Sequence, residues 1–114
     1  MRHQWNFLAT VKKVIDGDTI KFTIDRGFYD YSVMNIRLAR IDAPEKRKGE
    51  TEGYASKEWL EKLLEGHDVI LLNTFKHGKY RWVADLYLKD ESGEFTINIS
   101  DELVKAGHAV YRSY

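Results

Sequence analysis

Asn35-Ile36-Arg37-Leu38-Ala39-Arg40-Ile41-Asp42-Ala43-Pro44-Glu45 is the stretch on which the reading of this chain turns. Ile36 and Leu38 alternate with Arg37 and Ala39, the period-two signature of a strand with one buried face. Pro44 has no N–H to give a sheet ladder and biases Ala43 toward an extended conformation, so the strand is expected to end near Asp42. This places a guanidinium on the exposed face of a strand and two carboxylates on the turn that follows. A cation and two carboxylates so close together are costly to gather for stability alone. The combination suits a site that holds a metal and a phosphate together.

Upstream, residues 5–14 read as a first strand with Phe7 and Ala9 on one face and Leu8 on the other. Asp16-Gly17-Asp18 is a turn signal, with Gly17 expected to supply a conformation that side chains disfavour. Ile20, Phe22 and Ile24 then alternate with Thr19, Lys21 and Thr23 as a half-buried strand. Arg26-Gly27-Phe28 turns the chain into a third strand over about 31–41, giving a three-stranded meander.

Downstream, Lys46-Arg47-Lys48-Gly49-Glu50 is a charged loop with no apolar anchor. A helix is expected from about Glu52 to Leu64, capped by Thr51 and stopped at Gly66, with Ala55, Trp59, Leu60, Leu63 and Leu64 on its apolar face. Residues 69–74 read as a strand buried on both faces, followed by a basic turn around Gly78. A strand over 82–88, a reversal at Asp90-Glu91-Ser92-Gly93, and Phe95-Thr96-Ile97 come next. Ser100 is expected to cap a short helix that ends at Gly107, with Asp101 and Glu102 favourable in its first turn. The expected fold is mainly β with helices: one domain over 1–114, five strands closed into a small barrel, which leaves no long exposed edge.

The bulk properties agree with a globular domain. Of 114 residues, 43% are apolar and 32% charged, and 18 basic side chains cancel 18 acidic ones. That balance argues against a strong non-specific nucleic-acid coat but leaves room for a local phosphate site. The absence of cysteine excludes disulfides and thiolate chemistry. With no apolar leader and no run long enough to span a bilayer, a cytoplasmic monomer is expected, or a secreted one if a leader has been removed.

Asp18 lies at the mouth of the second strand, and Asp42 and Glu45 lie at the end of the third. Hairpin neighbours can bring these carboxylates together, and the Ala43 carbonyl offers a further oxygen. Oxygen donors favour hard cations, Ca²⁺ or Mg²⁺, over zinc. A metal, a carboxylate and guanidinium groups equip a site for phosphodiester hydrolysis, with Arg37 as one clamp on the phosphoryl charge and Arg81 as the best candidate for a second. Trp59 reads as core. Trp82 reads as core or a stacking platform, with core the simpler reading. Asp85, inside an apolar strand, needs a partner that the sequence does not name.

Ile15-Asp16-Gly17-Asp18-Thr19, the stretch Ile36 to Glu45, and Lys79-Tyr80-Arg81 leading into Ala84-Asp85-Leu86-Tyr87 together resemble the staphylococcal nuclease (thermonuclease) family, in order and spacing, from about Phe7 to Tyr111. The resemblance implies an OB-fold barrel with two to three α-helices. It also implies a Ca²⁺-dependent endonuclease that cuts DNA and RNA with little sequence specificity, leaving 3′-phosphate and 5′-hydroxyl ends. Carried onto this chain, it makes Asp18, Asp42 and the Ala43 carbonyl the calcium ligands and Glu45 the general base. Arg37 and Arg81 become the phosphate-binding pair, Lys79 and Tyr80 contacts to a terminal phosphate, and Tyr111 a stacking residue. Asp16 would support the metal ligands from behind. DNA and RNA are the implied partners, with no membrane and no obligate protein partner. The chain departs from the family where Ala43 replaces a frequent threonine, where the glycine before Arg81 is missing, and in its shorter tail. The alternative reading is an OB-fold module that binds nucleic acid or peptide and cuts weakly or not at all.

Overall fold

The computed structural model describes residues 5–43, 51–77 and 82–112. Its strands are β1 (Trp5–Asp16), β2 (Thr19–Asp25), β3 (Tyr31–Leu38), β4 (Ile41–Asp42), β5 (Ile70–His77), β6 (Trp82–Lys89), β7 (Phe95–Asn98) and β8 (Val110–Tyr111). Helix α1 (Thr51–Leu64) follows β4, and α2 (Ile99–Lys105) follows β7. The sheet runs β3-β2-β1-β5-β6-β7, and an additional β3–β6 pairing closes β1, β2, β3, β6 and β5 on themselves. Closure is parallel, with Ile36 opposite Trp82, Arg37 opposite Val83 and Leu38 opposite Ala84. It satisfies the edges that an open five-stranded sheet would expose. The result is the α+β OB-type barrel expected from the sequence, with two helices among the described residues.

The long β1 serves two neighbours. Its first half pairs with β5 from Trp5 to Ala9, and from Leu8 onward it pairs with β2. Register shifts after Val11 and after Val14 give it the bend that this change of partner requires. The alternation in β2 faces as the sequence indicates: Ile20 and Phe22 are fully buried and Ile24 nearly so, while Lys21 and Thr23 lie half-buried. Ile36 and Leu38 of β3, Ile70 and Leu72 of β5, and Leu86 and Leu88 of β6 fill the barrel, and Leu60, Leu64, Ile99 and Leu103 of the helices pack against it. Burying each such side chain is worth roughly 1.5–3 kcal/mol.

Several local expectations are corrected. The third strand does not continue to Ile41: it breaks at Ala39-Arg40, where Arg40 adopts φ 67°, and resumes as β4. β5 is buried on one face only, with Leu71 and Asn73 half-buried between Ile70, Leu72 and Thr74, and it runs on to His77. Helix α1 begins at Thr51 itself and turns Gly53, Ser56, Leu60 and Leu64 inward, leaving Ala55 exposed and Trp59 half-buried. Ser100 is not the cap of α2. Asn98 is, its side chain accepting from the Asp101 N–H at 3.0 Å, because Ser100 is already helical and its hydroxyl donates to the Ala39 carbonyl at 2.8 Å. The far end of α2 is as expected. Gly107 (φ 82°) follows the helix, its N–H donating to Val104 and that of His108 to Leu103, the paired bonds of a Schellman stop.

The β6–β7 reversal is organised by one carboxylate. Asp90 accepts from the Ser92 N–H at 2.8 Å, the Ser92 hydroxyl at 2.5 Å, the Glu94 N–H at 3.1 Å and the Thr96 hydroxyl at 2.6 Å. The Ser92 hydroxyl bond, then that of Thr96, draws its pKa from 3.8 to about 2 against some desolvation, with the backbone donors adding. A carboxylate whose pKa is lower in the folded chain contributes stability above its unfolded value and loses it as pH falls through the folded one. Asp90→Ala should therefore lower the melting temperature at pH 5 and above. The gap to wild type should narrow below pH 4 and be smallest near pH 2. A gap independent of pH in thermal melts across that range would show that the charge is not what matters.

Candidate active site

The site forms where the Gly17-Asp18 turn meets the broken third strand. Arg37 stands opposite Thr19 on one side and Val83 on the other, so its strand is flanked by β2 and β6 and its side chain is buried, 7% exposed as a residue. This corrects the expectation that it lies on an exposed face. Its NH1 donates to the carbonyls of Leu38 at 2.9 Å and Ile41 at 3.0 Å, oxygens that the strand break turns away from a ladder. Its NH2 lies 3.3 Å from both Asp18 Oδ2 and Asp42 Oδ1. Charge-assisted N–H···O bonds are commonly about 2.7–2.9 Å, so NH1 is the fixed end of this guanidinium and NH2 the looser one.

Asp18 is itself buried. Oδ1 accepts from the Thr19 hydroxyl at 3.1 Å, Oδ2 accepts from the Ala43 N–H at 3.3 Å, and its carbonyl accepts from the Leu38 N–H at 2.8 Å. Asp42 is half-exposed, and its second oxygen meets Arg112 NH1 at 2.9 Å. The structure thus brings together Asp18, Arg37, Asp42 and Ala43. Glu45, Lys79, Tyr80 and Arg81 lie outside the described residues. Tyr111 pairs with Ile41 across β4–β8, and the residue is 57% exposed.

Among the described residues the donors around this turn are oxygens, two carboxylates with the backbone of Ala43 tied to one of them. That set fits a hard divalent cation and does not fit zinc. Among the described residues no third acid or imidazole completes a group that could hold a metal.

Two arginines carry parts of the site that the sequence reading does not assign. Arg40, at the strand break, reaches Asp85 through Nε at 3.1 Å and NH2 at 3.0 Å, and Asp101 through NH1 at 3.2 Å. Asn98 Nδ2 also donates to Asp85 at 3.1 Å, so the acid in the apolar strand β6 has its partners. Partial burial disfavours the Arg40 charge, but hydrogen bonds to Asp85 and Asp101 and their negative charge outweigh that and hold its pKa above the ordinary range. Tyr111 donates its hydroxyl to Asp101 at 2.9 Å, a bond that raises the phenol pKa, and its ring lies 6.0 Å from the Arg40 guanidinium carbon. Arg112 is the other. Its position in an aromatic tail gave no signal, whereas Arg40 lies inside the deciding stretch and Asp85 advertised an unmet need.

Gly17 sets the turn by contact, and its backbone is not in the left-handed region, which corrects the expectation above. A Cβ there would lie 2.1 Å from the Ser56 hydroxyl, 2.9 Å from the Ser56 Cβ and 3.2 Å from the Ala43 Cβ. Ser56 in turn donates to the His108 carbonyl at 3.1 Å, and the His108 ring sits 5.5 Å from that of Trp59. The missing side chain lets α1 close onto the Asp18 turn. Trp82 is half-buried: it packs against the core and also lines a half-open pocket of about 380 Å³ with Phe7, Ile24, Met34 and Ile36.

Comparison with known proteins gives two findings. Residues 35–114 match the family described as staphylococcal nuclease homologue. The chain is also 33% identical over 106 residues to a protein of Escherichia coli O157:H7 named "Uncharacterized endonuclease", and to one of the same name from Escherichia coli. Each alignment covers 91% of this chain, and the chain spans 61% of the length of these relatives.

The Gly17–Ser56 contact yields a double-mutant test. Gly17→Ala should destabilise by roughly 1–3 kcal/mol through overpacking. Adding Ser56→Gly should recover part of that loss even though glycine costs a helix interior about 1 kcal/mol. Additive losses in urea unfolding would rule out the contact as the cause.

Proposed function

The chain belongs to the staphylococcal nuclease homologue family, and on that premise we propose that it is a Ca²⁺-dependent endonuclease of low sequence specificity. The substrates are DNA and RNA, and the products carry 3′-phosphate and 5′-hydroxyl ends. The observation that carries the reading is the meeting of Asp18 and Asp42, from two separate strand ends, on one nitrogen of the buried Arg37. The naming of the relatives as endonucleases supports it.

In this reading Asp18, Asp42 and the Ala43 carbonyl hold the calcium ion. When bound, the ion polarises a phosphoryl oxygen and offsets the charge that attack creates. Arg37 keeps NH1 on the Leu38 and Ile41 carbonyls and turns its looser NH2 edge to the phosphoryl oxygens, with Arg81 as the second clamp. Glu45 takes a proton from the attacking water as its oxygen bonds to phosphorus, the bond from phosphorus to the 5′ oxygen breaks, and that oxygen takes a proton from solvent to leave as the 5′ hydroxyl. Lys79 and Tyr80 contact a terminal phosphate. Tyr111, its hydroxyl fixed by Asp101, offers an exposed ring to a base or sugar.

One observation favours the second reading, a module that binds without cutting. Phe28 and Tyr29 are fully exposed at the β2–β3 hairpin tip, beside exposed Tyr31 and Val33, and such rings are suited to stacking on unpaired bases.

Plasmid DNA separates the two. Cleavage with Ca²⁺ that stops with EGTA is expected, and binding without cleavage under every divalent metal would instead select the module. Glu45→Ala should lower turnover by at least ~10²-fold, with folding checked by circular dichroism. Arg37→Ala is the poorer probe, because it also removes the side-chain donor to two backbone carbonyls and the ion-pair partner of buried Asp18.

A further inference from the structure

Asp42 lies between two guanidinium groups of different character. Arg37 approaches Oδ1 at 3.3 Å with a side chain 9% exposed and two backbone carbonyls anchoring it. Arg112 approaches Oδ2 at 2.9 Å with a side chain 61% exposed. The Arg112 backbone is fixed separately: its N–H donates to the Arg40 carbonyl at 2.8 Å, just beyond the β4–β8 pairing of Ile41 with Tyr111. The strand is therefore held through its backbone, independently of the guanidinium's contact with Asp42.

A divalent cation on Asp42 competes with a guanidinium on the same carboxylate, since both draw on its negative charge and repel each other. A phosphodiester drawn to the cation offers the displaced guanidinium a new anion with matching bidentate geometry. Resting on the nuclease reading, we propose that Arg112 is an exchangeable counter-ion: it neutralises Asp42 until a divalent cation takes that carboxylate, then binds the backbone phosphate of the nucleic-acid strand. Metal and strand would then bind cooperatively, each favouring the Arg112 position that the other needs. This gives the site a substrate-binding cation delivered by the C-terminal strand, in addition to the arginines of the family motifs.

The test compares wild type with Arg112→Gln and Arg112→Lys, using Ca²⁺ alone in calorimetry and a fluorescein-labelled phosphorothioate decanucleotide, which resists hydrolysis, in anisotropy with Ca²⁺ present. Arg112→Gln should bind Ca²⁺ about threefold to tenfold more tightly and the oligonucleotide about threefold to tenfold more weakly. Its plot of log affinity against log salt should be shallower by about 0.7, one phosphate contact on a single strand. Arg112→Lys, which keeps the charge, should stay near wild type on both measures. A change of both affinities in the same direction, or an unaltered salt slope, would reduce Arg112 to a tether of β8 and overturn the proposal. Plasmid cleavage is scored separately. Opposed shifts without cleavage would remove the nuclease reading and leave the Arg112 exchange standing, and cleavage without the shifts would do the reverse.

Discussion

A guanidinium inside a closing barrel governs this structure. Arg37 sits at the parallel β3–β6 seam, flanked in register by Thr19 and Val83, and is 7% exposed. A charge so placed is tolerable only when its donors are met, and removing one partner of such an arrangement commonly costs about 3–5 kcal/mol. The chain meets it with two backbone carbonyls and two carboxylates. The carbonyls of Leu38 and Ile41 are available because the strand breaks between them. The barrel's seam, the strand break and the position of Asp18 are therefore one constraint seen from three sides.

The strand break has its own fastening. Arg40 holds the left-handed conformation at φ 67°, uncommon for a residue with a long side chain, while its guanidinium spans Asp85 on β6 and Asp101 on α2. The Ala39 N–H donates to the Ala84 carbonyl, the Ser100 hydroxyl to the Ala39 carbonyl, and the Arg112 N–H to the Arg40 carbonyl. Three elements converge on two residues, and those two residues aim Asp42. The local strain is sustained by contacts from β6, α2 and the C-terminal segment, so the second half of the chain positions the acid of the first half.

Much of the architecture was legible in advance because it depends on local periodicity. The alternation of Ile20, Phe22 and Ile24 needs only the pleat of a strand, and Gly107 stops α2 through backbone geometry within a few residues. The cap at Asn98 was missed for a physical reason. Asn98 and Ser100 are both good caps, and the choice between them falls to the Ala39 carbonyl, some sixty positions upstream, which takes the Ser100 hydroxyl. In the sequence Gly17 looks like a conformational residue, whereas its role is to admit Ser56 of a helix that begins more than thirty residues later.

By itself the sequence determined the main barrel strands and the two helices, their order, and which acids and arginines cluster along the chain, since these follow from hydrophobic period, proline and glycine placement, and motif spacing. Tertiary structure alone decided that Arg37 is buried, that Asp85 pairs with Arg40 and Asn98, and that Arg112 arrives at Asp42. Those outcomes depend on which strands meet at the closing seam and on the return of the C-terminal segment to β4. They are distances between residues far apart in the chain, and no local pattern encodes them.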